Sequence, residues 1–85
     1  MDSRVAVIGI IVEDRESVGP LNEILHSFGE YIIGRMGLPY AKRHIAVISI
    51  ALDAPTDVIS SLTGKIGMLK GVTAKSLMAK LDKQD

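Results

Sequence analysis

Val5-Ala6-Val7-Ile8-Gly9-Ile10-Ile11-Val12 is the stretch on which the fold turns. It is continuously apolar, rich in Val and Ile, and of a length that suits a strand buried on both faces better than a helix. A second run of the same kind, Ile45-Ala46-Val47-Ile48-Ser49-Ile50-Ala51-Leu52, lies further along the chain. Neither run carries a charge, so both belong at the centre of a sheet rather than at its edge.

What surrounds these two runs supplies the remaining elements. Glu13 to Glu16 is charged and reads as a loop. From Ser17 the spacing changes: Val18, Leu21, Leu25 and Phe28 fall at steps of three and four, with Ile24 widening the stripe, as on a helix. Ser17 is suited to cap that helix, Pro20 fits in its first turn, and Gly29 is a natural stop. Glu30 to Pro39 reads as a strand. Pro39-Tyr40-Ala41-Lys42-Arg43 is a short polar connection into the strand His44 to Leu52. Asp53-Ala54-Pro55 looks like a helix entry, with Asp53 or Ala54 near the cap and Pro55 in the first turn. Val58, Ile59, Leu62, Ile66 and Leu69 form a second helical stripe, weakened at Gly64 and ended at Gly67 or Gly71. Val72 to Leu81 returns as a strand, with helix as the alternative for its last residues.

The order is β-α-β-β-α-β, the split βαβ pattern. It predicts an α+β, ferredoxin-like sandwich: one domain over residues 1–85, with a four-stranded antiparallel sheet and two helices on one face. The first and third strands are then central, placing Val7 and Ile48 on neighbouring strands. The second and fourth are edges, and these carry Arg35, Lys75 and Lys80. Helices cover only one face, yet the central strands do not alternate. Val5, Val7 and Ile11 point one way and Ala6, Ile8, Ile10 and Val12 the other; Ile45 and Val47 oppose Ala46, Ile48, Ile50 and Leu52. The helix-free face is therefore apolar as well. If Ile48 or Ile50 points away from the helices, a glutamate there breaks assembly.

Composition leads to the same place. The chain has 85 residues, 47% of them hydrophobic, and no cysteine. A domain this short buries only about 60–65% of its unfolded surface on its own, with no disulfide or thiolate metal site to help. The simplest cover for the excess is another copy, so a homo-oligomer, dimer or tetramer, through the sheet face is expected. No membrane role is expected. The apolar run is too short to span, it follows Met1-Asp2-Ser3-Arg4 with no basic leader, and it ends in Glu13-Asp14, which places the protein in the cytoplasm. Net charge is zero, which argues against direct DNA binding. The charge is nonetheless uneven: residues 1–34 hold six acids and two bases, residues 35–80 seven bases and two acids. An anion site in the second half and ordinary solvated faces both fit that asymmetry.

Little points to catalysis. His26 and His44 sit on different elements without metal-ligand spacing, and no Ser-His-Asp arrangement is suggested, so no metal, cofactor or catalytic residue is expected. Two stretches share the pattern glycine, base, apolar residue, glycine: Gly34-Arg35-Met36-Gly37 and Gly64-Lys65-Ile66-Gly67. Glycine permits close backbone approach and the base supplies an anion contact. With Arg43 of the hairpin, these give a candidate ligand set of Arg35, Arg43, Lys65, Gly34, Gly37, Gly64 and Gly67. A bulge, close sheet packing and a helix end explain the same glycines without a ligand.

Val7 to Val18, Asn22 to His26, Ile33 to Tyr40 and Leu62 to Val72 resemble the iron-only hydrogenase system regulators, with the likeness running from about Arg4 to Ser76. More broadly, the pattern is similar to ACT-type domains and to the ligand-binding half of nickel-responsive repressors. The resemblance implies a regulatory, ferredoxin-like module that assembles into dimers or tetramers. The expected role is a small ligand-binding or protein-interaction module, with a small-molecule effector as a candidate partner. Two features depart from the wider analogy. Ile48-Ser49-Ile50-Ala51-Leu52 offers no His or Cys where those repressors bind metal, and the loop Glu13 to Ser17 lacks the glycine common in amino-acid-binding ACT domains. A small enzyme on this scaffold and a purely structural oligomer remain the alternative readings.

Overall fold

In the computed structural model, which describes residues 3–80, the first apolar run forms β1 (Ser3–Val12) and the second lies within β3 (Ile45–Pro55). They pair antiparallel along their whole length, Ile10 opposite Ile48 and Val7 opposite Ala51. β2 (Ile32–Tyr40) flanks β3 and β4 (Val72–Met78) flanks β1, so the order across the sheet is β2-β3-β1-β4. The helices are α1 (Val18–Ser27) and α2 (Thr56–Gly67). This is the expected ferredoxin-like sandwich, with the two apolar runs inside, charged only at the Arg4 and Asp53 ends of their strands, and the strands of Arg35 and Lys75 at the edges.

Alternation along each strand sorts the apolar residues into two layers. Even-numbered positions of β1 and β3 face the helices. Ala6, Ile8, Ile10 and Val12 pack there with Ile48, Ile50, Leu52 and Ala54, beneath Leu21 and Leu25 of α1 and Ile59, Leu62 and Ile66 of α2. Ile48 and Ile50 therefore both point into the core, which makes them the wrong positions for a charge meant to break assembly. The odd-numbered set, Val5, Val7, Ile11 and Val47, lies on the other face and is 37–49% exposed.

Several boundaries differ from the sequence reading: β2 runs on to Tyr40, β3 starts at Ile45, and β4 ends at Met78, so that Lys80 lies beyond the edge strand. Three further differences have a physical reason. β3 runs on through Asp53 and Ala54 to Pro55, because β1 begins early enough to pair with it: Arg4 opposite Ala54 and Ser3 opposite Pro55. Pro55 is thus the last residue of β3 and the residue before α2, rather than in the helix's first turn. Ser17 precedes α1 but does not cap it. Its hydroxyl donates instead to the Lys70 carbonyl at 2.6 Å, a partner 53 residues away. β2 starts only at Ile32, after a 3-10 turn over Gly29–Tyr31, and is shifted in register between Ile32 and Gly34.

Candidate functional site

One end of the sheet gathers the segments after β1 and after β2, along with the turn after α2. The β1–α1 loop is pinned to that turn. Glu13 N–H donates to the Gly71 carbonyl at 2.7 Å, Ser17 to Lys70, and the Lys70 ammonium sits 3.6 Å from the Asp14 carboxylate. Gly71 has a φ of +69°, and a Cβ there would lie 2.7 Å from the Asp14 Cβ, so only glycine fits. Asp14 also accepts from Glu16 N–H at 2.9 Å, holding the 3-10 turn Arg15–Ser17. The loop leading into α1 is thus fixed from both sides.

Between this loop and the β2–β3 hairpin lies a cleft of about 310 Å³. Val12, Val18, Pro39, Ala41, Ile45 and Ala46 make it mainly apolar, and Arg15, Tyr40 and His44 bring the polar groups. The hairpin turns through a 3-10 segment, Ala41–Arg43, closed by His44 N–H donating to the Ala41 carbonyl at 3.1 Å. His44 sits in the left-handed region, φ 58°, the only non-glycine residue among those described to do so.

A second concavity, about 280 Å³, opens between α1 and the β2 edge and is lined by Asn22, Leu25, His26, Gly29, Ile32 and Arg35. Arg35 faces the helix side, and its guanidinium donates to the Asn22 side-chain carbonyl at 3.3 Å.

The candidate ligand residues fall in separate places. Arg35 lines the second cleft. Arg43 lies in the hairpin turn between Ala41 and His44, which line the first. Lys65 stands near the end of α2. No hydrogen bond or ion pair joins the three among the described residues. A Cβ added at Gly37 would lie 3.9 Å from the Ile48 side chain, whereas one at Gly34, Gly64 or Gly67 meets nothing within 4 Å. Arg15, Tyr40 and His44 were not singled out by sequence motif. The signal that gathers them is topological, since the split βαβ order brings the first loop and the hairpin to the same end of the sheet. No three His, Asp or Glu side chains cluster as metal ligands among the described residues. No helix there is long and apolar enough to cross a membrane.

The open face of the sheet carries a cluster of exposed apolar side chains. The pairing register gives its rows directly: Gly34, Ala51, Val7 and Leu77; then Met36, Ser49, Gly9 and Lys75; then Leu38, Val47, Ile11 and Thr73. The middle row is low over Ser49 and Gly9, where nothing lies within 4 Å of a Gly9 Cβ, and larger apolar side chains stand on either side. Met36, Leu38 and Leu77 are 59–72% exposed.

Residues 4–76 match the family model TM1266-like, described as "Iron-only hydrogenase system regulator, putative". Among solved structures, the chain is similar to TM1266 from Thermotoga maritima, described as an uncharacterized protein, with 38% sequence identity and a TM-score of 0.88, over 93% of this chain and 100% of that one. No curated protein matches.

Proposed function

The chain belongs to the TM1266-like family, and from that premise we propose that it is a non-catalytic regulatory module of an iron-only hydrogenase system, acting as a homo-oligomer that responds to a small-molecule effector. The observation that carries this reading is the open sheet face. Val5, Val7, Ile11, Met36, Leu38, Val47 and Leu77 stand exposed on one side of a sheet whose central strands are packed under the two helices on the other. Covering a Val, Leu, Ile or Met side chain is worth about 1.5–3 kcal/mol when it is complete. At these exposures each contributes about 1 kcal/mol, comparable in sum with the stability margin of a small domain.

A second copy is the occupant that suits this face. The low row over Gly9 and Ser49 lies beside a ridge of Leu38, Val47 and Ile11, so a two-fold pairing sets the ridge of each copy into the trough of the other. The face also carries one acid, Asp53, and one base, Lys75, a self-complementary charge pair. The effector reading is supported by two clefts whose polar groups stand apart: Arg15, Tyr40 and His44 in one, and Asn22, His26 and Arg35 in the other.

Native mass spectrometry of the protein purified from its own host tests the assembly and the effector together. The expected result is a whole-number multiple of the chain with retained small molecule. A bare monomer opposes the reading. Deleting the chain from a hydrogenase-bearing host should change hydrogen evolution without changing the hydrogenase sequence, and unchanged output opposes the regulatory role.

A further inference from the structure

We propose that the cleft between the β1–α1 loop and the β2–β3 hairpin binds a small organic monocarboxylate with a compact apolar body, held by Arg15 and His44 over a floor of Val12, Val18 and Ala46. The proposal rests on the regulatory reading above and names the class of effector. The cleft volume, about 310 Å³, falls at the lower end of the range for small-molecule sites. Its lining is mainly apolar with a few convergent polar groups, the composition of a site that binds by burial and orients by charge.

The electrostatics select a monoanion. Arg15 is the one permanent cation lining the cleft, and it makes no ion pair among the described residues. Its neighbour Asp14 is turned away, engaged by Lys70 and by Glu16 N–H. A planar guanidinium matches a carboxylate in a two-point contact. A phosphate dianion would find only one permanent positive charge for its two negative ones. His44 adds a second donor. Its left-handed backbone is disfavoured for a residue with a side chain, and that conformation places the imidazole at the cleft rather than leaving the hairpin to a glycine. The wall carrying Arg15 is preorganised, because the loop is pinned through Ser17 and Glu13 to the turn at Lys70 and Gly71.

The test is nitrogen-15 amide NMR of the full chain, titrated to millimolar phenylacetate and isovalerate, with the uncharged phenylacetamide as control. Both carboxylates should give saturable shifts confined to residues 12–18 and 39–46. Phenylacetamide should bind about tenfold more weakly, the loss of one exposed charge-assisted contact. Arg15→Gln, at an exposed position, should leave the remaining spectrum intact and abolish the difference between acid and amide. The proposal is overturned by saturable shifts centred on Asn22, His26 and Arg35, by equal binding of acid and amide, or by no saturable shift from either carboxylate. Sedimentation of the same samples separates the two claims. An intact oligomer that ignores carboxylates sinks only the site, and a monomer that binds them sinks only the assembly.

Discussion

Val47 and Ile48 are adjacent in sequence and face opposite sides of one strand, so the same substitution at each should fail in different ways. Ile48 is 8% exposed and Val47 is 40% exposed. Ile48→Glu removes a core side chain, about 2–5 kcal/mol, and adds an uncompensated buried carboxylate at several kcal/mol more. The sum reaches the whole stability of a chain this size, about 5–10 kcal/mol, so the variant should not fold. Val47→Glu keeps the helix-side core intact. The carboxylate reaches water and its stem still covers Leu38 and Ile11, the cross-strand neighbours, so the monomer should lose only about 1 kcal/mol. In a two-fold assembly the substitution enters twice. Each copy loses about 1 kcal/mol of apolar cover and desolvates a carboxylate for about 2 kcal/mol after relaxation, roughly 6 kcal/mol together. That is about four orders of magnitude in the dissociation constant. Circular-dichroism melting reads the fold and sedimentation velocity the assembly. The expected outcome is a folded Val47→Glu monomer beside an unfolded Ile48→Glu chain. A Val47→Glu variant that sediments as wild type does, or a cooperatively folded Ile48→Glu, would refute the assignment of faces.

Gly71→Ala should destabilise by about 2 kcal/mol or more, from the left-handed backbone and the 2.7 Å approach to Asp14, read as a lowered urea midpoint with unchanged slope. Ser17→Ala should cost about 1 kcal/mol through the stranded Lys70 carbonyl, while α1 helicity stays as it is because that hydroxyl does not cap the helix; a loss of helicity would point to a capping role instead. The Glu30 carboxylate, hydrogen-bonded to the Tyr31 phenol, raises the Tyr31 pKa above the ordinary tyrosine value. The neutral phenol is therefore favoured in the fold: its contribution is fully present below the free tyrosine pKa and is lost as pH rises through the raised folded value. Phenolate absorbance should show Tyr31 titrating earlier in Glu30→Gln, and an unchanged curve would contradict that cause.

The fold was legible because its central strands carry their own label. Runs of apolar β-branched residues without charge, separated by one helical stripe each, leave few topologies open, and charges at Arg35 and Lys75 mark the edges. Local rules failed where a distant partner decided the outcome. Ser17 has a capping residue's chemistry, but the turn after α2 offers its hydroxyl a carbonyl. Asp53 to Pro55 reads as a helix entry until β1 is seen to extend far enough to pair with it.

The two glycine-base stretches show why the site was harder to read. Gly34 and Gly37 are three apart on a strand, so they fall on opposite faces, the first on the open side and the second against Ile48. Gly64 and Gly67 have the same spacing on a helix and share a face. Identical patterns thus produce unrelated geometries. The first cleft is assembled instead from Arg15 and His44, which lie 29 positions apart in the chain and are joined only by topology.

A second copy of the chain is the proposed cover of the open sheet face. Sedimentation equilibrium of the wild-type protein at micromolar concentration measures this directly. The expected mass is a whole-number multiple of the 9.1 kDa chain, at least two, shifting toward one chain in Val47→Glu. A stable, soluble 9.1 kDa wild-type monomer would contradict it.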